Sequence, residues 1–95
     1  SAAASVERIV DVFDSAEKAL VRTQLSEALI GVLCQTLRRL PTSDKQHAVF
    51  EVMVATPAIR HLIREGKTSQ IQNAVQTGAA YGMQTMAQAM QALPT

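Results

Sequence analysis

The 95 residues carry nine Lys and Arg against eight Asp and Glu, a net charge of +1 with neutral histidines, and 47% of them are hydrophobic. That is room for one domain with an ordinary core, which argues against disorder, and the balanced charge gives no electrostatic footprint for nucleic acid or an anionic membrane. No apolar run approaches the ~20 residues of a membrane span, the start Ser1–Ser5 lacks the basic-then-apolar form of a signal peptide, and the single Cys34 cannot staple a secreted miniprotein, so a reducing cytosol is expected.

In chain order, Val6, Ile9, Val10 and Phe13 recur at helical spacing and predict an amphipathic helix over residues 3–13. Asp14 with Glu17, or Ser15, offers an N-cap for a second helix. Its apolar stripe is Val21, Leu25, Ala28, Leu29 and Val32, and it should span about residues 16–30. The period then shortens. Residues 31–40 interleave Val, Leu, Cys and Thr with polar residues and read as a strand. Pro41-Thr42-Ser43-Asp44 is turn chemistry. In residues 48–54, Ala48, Phe50, Val52 and Val54 alternate with Val49, Glu51 and Met53, which makes a second strand with one wholly apolar face. The two strands predict an antiparallel hairpin with a loop of about six residues.

Helices follow. Thr56-Pro57 is an N-cap with proline at the first helical position, and Ile59, Leu62 and Ile63 are the buried stripe of a short helix that Gly66 ends in a left-handed cap. Ser69 and Gln72 have capping-box spacing ahead of Ile71, Ala74 and Val75. Gly78 and Gly82 bracket a bend, and Met83, Met86, Ala87, Met90 and Leu93 mark a last helix closed by Pro94. The order is α-α-β-β-α-α-α, an α/β arrangement, taken as one partial domain over 1–95. Every charged residue lies at or before Lys67, and the remainder is rich in Gln and Met. That segment is either a helical pair packed on its own domain or a subunit contact, where charge depletion is the compositional mark.

Catalytic equipment is not visible in the residues alone. Gly66-Lys67-Thr68 resembles the end of a phosphate-binding loop, but His61 stands where that motif needs its other glycine, and a helix rather than a strand precedes it. His47, His61 and Cys34 have no metal-ligand spacing, so no metal site is expected. No serine sits in a nucleophile elbow, and three aromatics are too few for base stacking. One cluster stands apart. Arg60 and Arg64 share a side of the short helix, with Lys67 beyond them. They either clamp a carboxylate or phosphate or simply suit the helix C-terminus and pair with Glu65.

The run Thr56-Pro57-Ala58-Ile59-Arg60-His61-Leu62-Ile63-Arg64-Glu65 closely resembles the AIRNLIRE motif of the PilT family of type IV pilus retraction ATPases, with His61 replacing Asn. Ser1 to Phe13 is similar to the stretch after that family's histidine box. Val21 to Glu27, Cys34 to Leu37, Phe50 to Met53, Gln76 to Gly78 and Gly82 to Met86 match further segments in the family's order. The chain departs from the pattern at Asp14 (Pro in the family), at Lys45-Gln46 (Gly-Arg) and at Ala87 (acidic).

The resemblance implies the C-terminal portion of a RecA-like motor domain. It implies a hexamer of such subunits at the cytoplasmic side of the bacterial inner membrane, acting on an inner-membrane platform protein, with no membrane insertion and no nucleic acid. The motif helix Ala58–Glu65 would serve retraction rather than nucleotide binding. ATP and Mg²⁺ would belong to the parent protein, because the phosphate-binding loop, the Walker B acids and the histidine box would lie before Ser1, leaving no catalytic residue here. A stand-alone interaction module and a piece of a related type II/IV secretion ATPase remain alternatives. Without groups to hold phosphates and Mg²⁺, the isolated 95-residue chain is expected not to hydrolyse ATP. Phosphate release above a buffer control would refute this.

Overall fold

The fold is a two-stranded antiparallel hairpin whose inner face is covered by helices from both chain ends, as seen in a computed structural model that describes residues 1–94. The elements are α1 (Ala2–Asp11), α2 (Lys18–Ala28), β1 (Gly31–Arg39), β2 (Gln46–Val54), α3 (Pro57–Arg64), α4 (Ile71–Gln76) and α5 (Met86–Gln91). The order is the expected one, with 3-10 turns at Thr68–Gln70 and Ala79–Tyr81.

The Ser1 hydroxyl accepts from the Ala4 N–H at 3.2 Å and starts α1. Its buried line is Ala2, Val6 and Val10, not the expected Val6-Ile9-Val10-Phe13. Ile9 is 43% and Phe13 40% exposed. Small Ala2 lets the first turn lie against the sheet, and the line of contact follows the i, i+4 row from there. α2 starts at Lys18, two residues late. Neither Asp14 nor Ser15 caps it; a turn closed by the Glu17 N–H on the Asp14 carbonyl at 2.8 Å leads in. It stops at Ala28 because Leu29 is already extended.

The hairpin register runs from Gly31↔Val54 to Arg39↔Gln46, leaving residues 40–45 as the loop. β2 is two residues longer at its start than expected, since Gln46 and His47 continue the pairing. The wholly apolar face of β2 is not the buried one. Ala48 and Phe50 are exposed and Val52 and Val54 only half-buried, while Val49, Glu51 and Met53 are buried. With their β1 neighbours Leu33 and Leu37, 70% and 54% exposed, they make an open apolar surface.

The reason is Glu51, 2% exposed. Its Oε2 accepts the Ala2 N–H at the start of α1. Its Oε1 accepts the Met86 N–H at the start of α5, at 3.0 Å, and Gln72 Nε2 from α4, at 3.3 Å. The same Gln72 side chain accepts the Ala3 N–H at 3.2 Å. A buried carboxylate is tolerated where it satisfies helix N-terminal donors that have no partners of their own. Around it pack Ala2, Val6, Met53, Ile59, Ile63, Ile71, Val75 and Met83.

The later elements differ from expectation in three ways. Ser69 and Gln72 form no capping box: Gln72 is drawn to Glu51, and α4 begins without a side-chain cap. The last helix is only Met86–Gln91, since Met83 is buried as a core residue ahead of it and Gln84 pairs with Val52 through both backbone groups, at 2.9 and 3.1 Å. Gln84 is thus a one-residue third strand, and Thr85 with Gln88 makes the capping box that starts α5.

Burial alone would push the Glu51 carboxyl up, but the Ala2 and Met86 N–H groups and the Gln72 amide together hold it below the usual carboxylate range. Glu51→Gln, which leaves one acceptor oxygen for these donors, should destabilise the fold by about 1–3 kcal/mol in urea unfolding at neutral pH. Because the folded value lies below the unfolded one, the carboxylate's stabilisation is fully present above about 4.5 and is lost as pH falls through the folded value. The variant should therefore lose less stability than the parent chain across that window.

Candidate functional site

The motif helix α3 is built from both ends. At its start the Thr56 hydroxyl accepts the Ile59 N–H at 3.3 Å, and Pro57 occupies the first turn. At its end the Gly66 N–H donates to Ile63 O at 3.2 Å and the Lys67 N–H to Leu62 O at 2.9 Å. That double closure requires the left-handed Gly66, at φ 70°. His61 and Arg64 stand in the last turn, where cations suit the helix dipole.

The eight residues of the motif divide by direction. Ile59 and Ile63 are fully buried against the core and Leu62 is half-buried. Ala58, His61, Arg64 and Glu65 are exposed. Arg60 is different again. Its Nη1 donates to Ser26 O at 2.6 Å and to Glu27 O at 3.2 Å, the carbonyls at the C-terminal end of α2. A guanidinium there satisfies acceptors the helix cannot. The two arginines that sequence spacing pairs as one clamp are thus separated in role. Arg60 ties α3 to α2, and Arg64 stands outward with no ion pair to Glu65 or any other described residue.

A second link was not legible in the sequence. Arg22 of α2 holds Glu7 of α1 through Nη1–Oε1 at 2.8 Å and Nη2–Oε2 at 3.3 Å. The hydrogen bond from Arg22 draws the Glu7 carboxyl down, and that from Glu7 raises the Arg22 guanidinium. Any Cβ at Gly66 would lie 3.5 Å from Arg22 Nε, so the end of α3 closes over this pair. Fifteen residues separate the partners on two helices, and no local period announces such a contact.

The remaining candidates are not brought together. Lys67 is exposed and its segment follows a helix end, with no cradle of N–H groups before it. His47 lies opposite Arg38 in the hairpin, and His61 lies on α3. Cys34 is half-buried with its Sγ 3.8 Å from Ser5 Oγ. Among the described residues no cluster of His, Cys, Asp and Glu could hold a metal, and no helix is long and apolar enough to cross a membrane.

No protein-family model matches the chain. It is 49% identical over 97% of its length to a "Twitching motility protein" of Neisseria gonorrhoeae. It is 50% identical over 90% of its length to the "Type IV pilus retractation ATPase PilT" of Pseudomonas aeruginosa. The chain spans about a quarter of the length of each of these relatives. The crystal structure of the pilus retraction motor PilT with bound ADP matches 99% of this chain and 30% of its own, with a TM-score of 0.65 and 31% identity.

The division of the two arginines is measurable. Arg60→Ala should cost about 1–2 kcal/mol, because it takes the charged donor from the Ser26 and Glu27 carbonyls, the first of these bonds part-buried. Arg64→Ala should stay within ~0.5 kcal/mol. Urea unfolding of the two variants side by side tests this; equal losses would contradict it.

Proposed function

We infer that this chain, which belongs to the PilT family of pilus retraction ATPases, is the C-terminal segment of such a motor, and that its α3 helix serves output rather than nucleotide chemistry. The observation that carries the reading is the identity of about half, sustained over nearly the whole chain, to a protein named as a retraction ATPase. The geometry of α3 supports the assignment of role. Its buried side and Arg60 hold it in place, and Arg64, His61 and Glu65 are left facing outward for another surface.

In this reading the motor is a hexamer of identical subunits at the cytoplasmic side of the inner membrane. ATP and Mg²⁺ are held by other parts of the same subunit. The force of hydrolysis reaches an inner-membrane platform protein, and pilin is extracted. Arg64 is the member of the motif suited to a carboxylate on that path, since a guanidinium offers a planar, two-donor fork and here has no ion-pair partner among the described residues. His61 and Glu65 flank it on the same open side.

The test is Arg64→Glu in the full-length motor, where the exposed position leaves the fold intact. ATP hydrolysis should persist while twitching motility is lost. Unchanged motility would remove the output role from this helix, and loss of hydrolysis together with motility would assign the helix to the catalytic cycle instead.

A further inference from the structure

We propose that Arg22 is a positioning residue for the motif helix. Paired with Glu7, its guanidinium is the floor on which the C-terminal end of α3 closes, so that α1 sets, through α2, where the last turn of α3 and its Arg64 stand. The proposal rests on the output role inferred above for α3. It uses contacts inside the chain rather than its open surfaces.

The helices α2 and α3 are tied at both ends, each time by an arginine of the opposite helix. Arg60 of α3 meets Ser26 and Glu27 at the end of α2, while Gly66, just past the end of α3, meets Arg22 nearer the start of α2, so the two run antiparallel. A Cβ at Gly66 would stand 3.5 Å from Arg22 Nε, 3.6 Å from Cζ and 3.8 Å from Cδ. That is packing distance from three successive atoms of the side chain. Arg22 therefore lies directly under the closure that the Gly66 and Lys67 N–H groups make. Ile59 and Ile63 hold the body of α3 in the core. Beyond Ile63 the closure takes over, and Arg64 stands at that point.

Glu7 is what keeps Arg22 there. A long side chain left to itself samples many rotamers, and holding it in one costs entropy. The fork of Nη1 on Oε1 at 2.8 Å and Nη2 on Oε2 at 3.3 Å uses both terminal nitrogens, fixes the plane of the guanidinium and leaves its Nε edge toward Gly66. Thr68, two residues past Gly66, also draws the Glu7 carboxyl down, so Glu7 meets both α2 and the segment that leaves α3. α1 in turn is anchored by its buried line Ala2, Val6 and Val10. The pair thus refers the end of α3 to the core through a third helix. Breaking it should loosen that end and leave the core intact.

Glu7→Gln and Arg22→Gln in the full-length motor test this, with hydrogen–deuterium exchange read separately on peptides covering residues 60–67 and on β2. In both variants the Gly66 and Lys67 amides should exchange roughly two- to fivefold faster, the range for loss of a part-exposed ion pair, while β2 is unchanged. Twitching motility should fall and ATP hydrolysis persist. The reversed pair, Glu7→Arg with Arg22→Glu, links α1 to α2 again but puts a carboxylate beneath Gly66. It should recover thermal stability without recovering the protection of α3 or motility. Unchanged exchange at Gly66 and Lys67, exchange that rises equally in β2, or a reversed pair that restores protection and motility along with stability would overturn the proposal. So would full motility in both single variants where Arg64→Glu abolishes it. If Arg64→Glu also leaves motility intact, the output reading is what fails. Faster exchange confined to α3 then still upholds the positioning, and unchanged exchange overturns it.

Discussion

The fold depends on one carboxylate. Glu51 sits in the middle of β2 and faces inward, where a glutamate would ordinarily be costly. Two helices, α1 and α5, begin against it from opposite ends of the sequence, and a third, α4, reaches it through Gln72. Each helix start brings N–H groups with no partner in the helix itself. The carboxylate collects these donors at one point. That fixes which face of the hairpin is covered, because turning the strand over would place the charge in water and leave the helix starts unsatisfied. The exposed Phe50 and Leu33 follow from the same constraint: the more apolar face is outward because the other is the one that binds helices.

The second layer of the architecture is α3. Eight residues are too few for a helix to be stable alone. Its shape comes from the Thr56 cap, the Gly66 closure and the burial of Ile59 and Ile63. Arg60 then joins it to the end of α2, and the Arg22–Glu7 pair joins α2 to α1 beneath Gly66. α3 is therefore positioned by the core on one side and by the end of α2 on another, and a displacement of α3 must repack both or carry them along.

Local signals are decisive where one residue decides one geometry. Thr56-Pro57 and Gly66 set the limits of α3, and the change from helical to alternating spacing near Gly31 marks the hairpin. They are overridden where a distant partner competes for the same side chain. Ser69-x-x-Gln72 has the spacing of a capping box, yet Glu51 claims the glutamine; Thr85-x-x-Gln88 makes the box that forms. Period-two alternation identified β2 but not its inward face, since hydrophobicity favours the face without Glu51. Gln84 as a lone strand partner has no periodic signal at all. In the motif helix, spacing places Arg60 and Arg64 on one side, but they stand one turn, about 6 Å, apart along the axis, and only Arg60 meets the end of α2. The resemblance to a known motif located the helix and carried no information about that division.

That division bears on how changes in α3 are to be interpreted. Ile59, Ile63 and Arg60 hold the helix in place, so replacing any of them disturbs α2 and the core along with whatever the helix contacts outside. A lost activity after such a change would report on folding as much as on contact. Arg64, His61 and Glu65 are exposed, and among the described residues their side chains make no hydrogen bond or ion pair. Only at these positions does an unaltered stability isolate an external contact from an internal one. A motif that reads as eight equivalent letters is thus two sets of residues with different physical duties. The set that builds the helix has chemistry satisfied within the chain, while the set that faces outward has charge and donors still to be matched by something else.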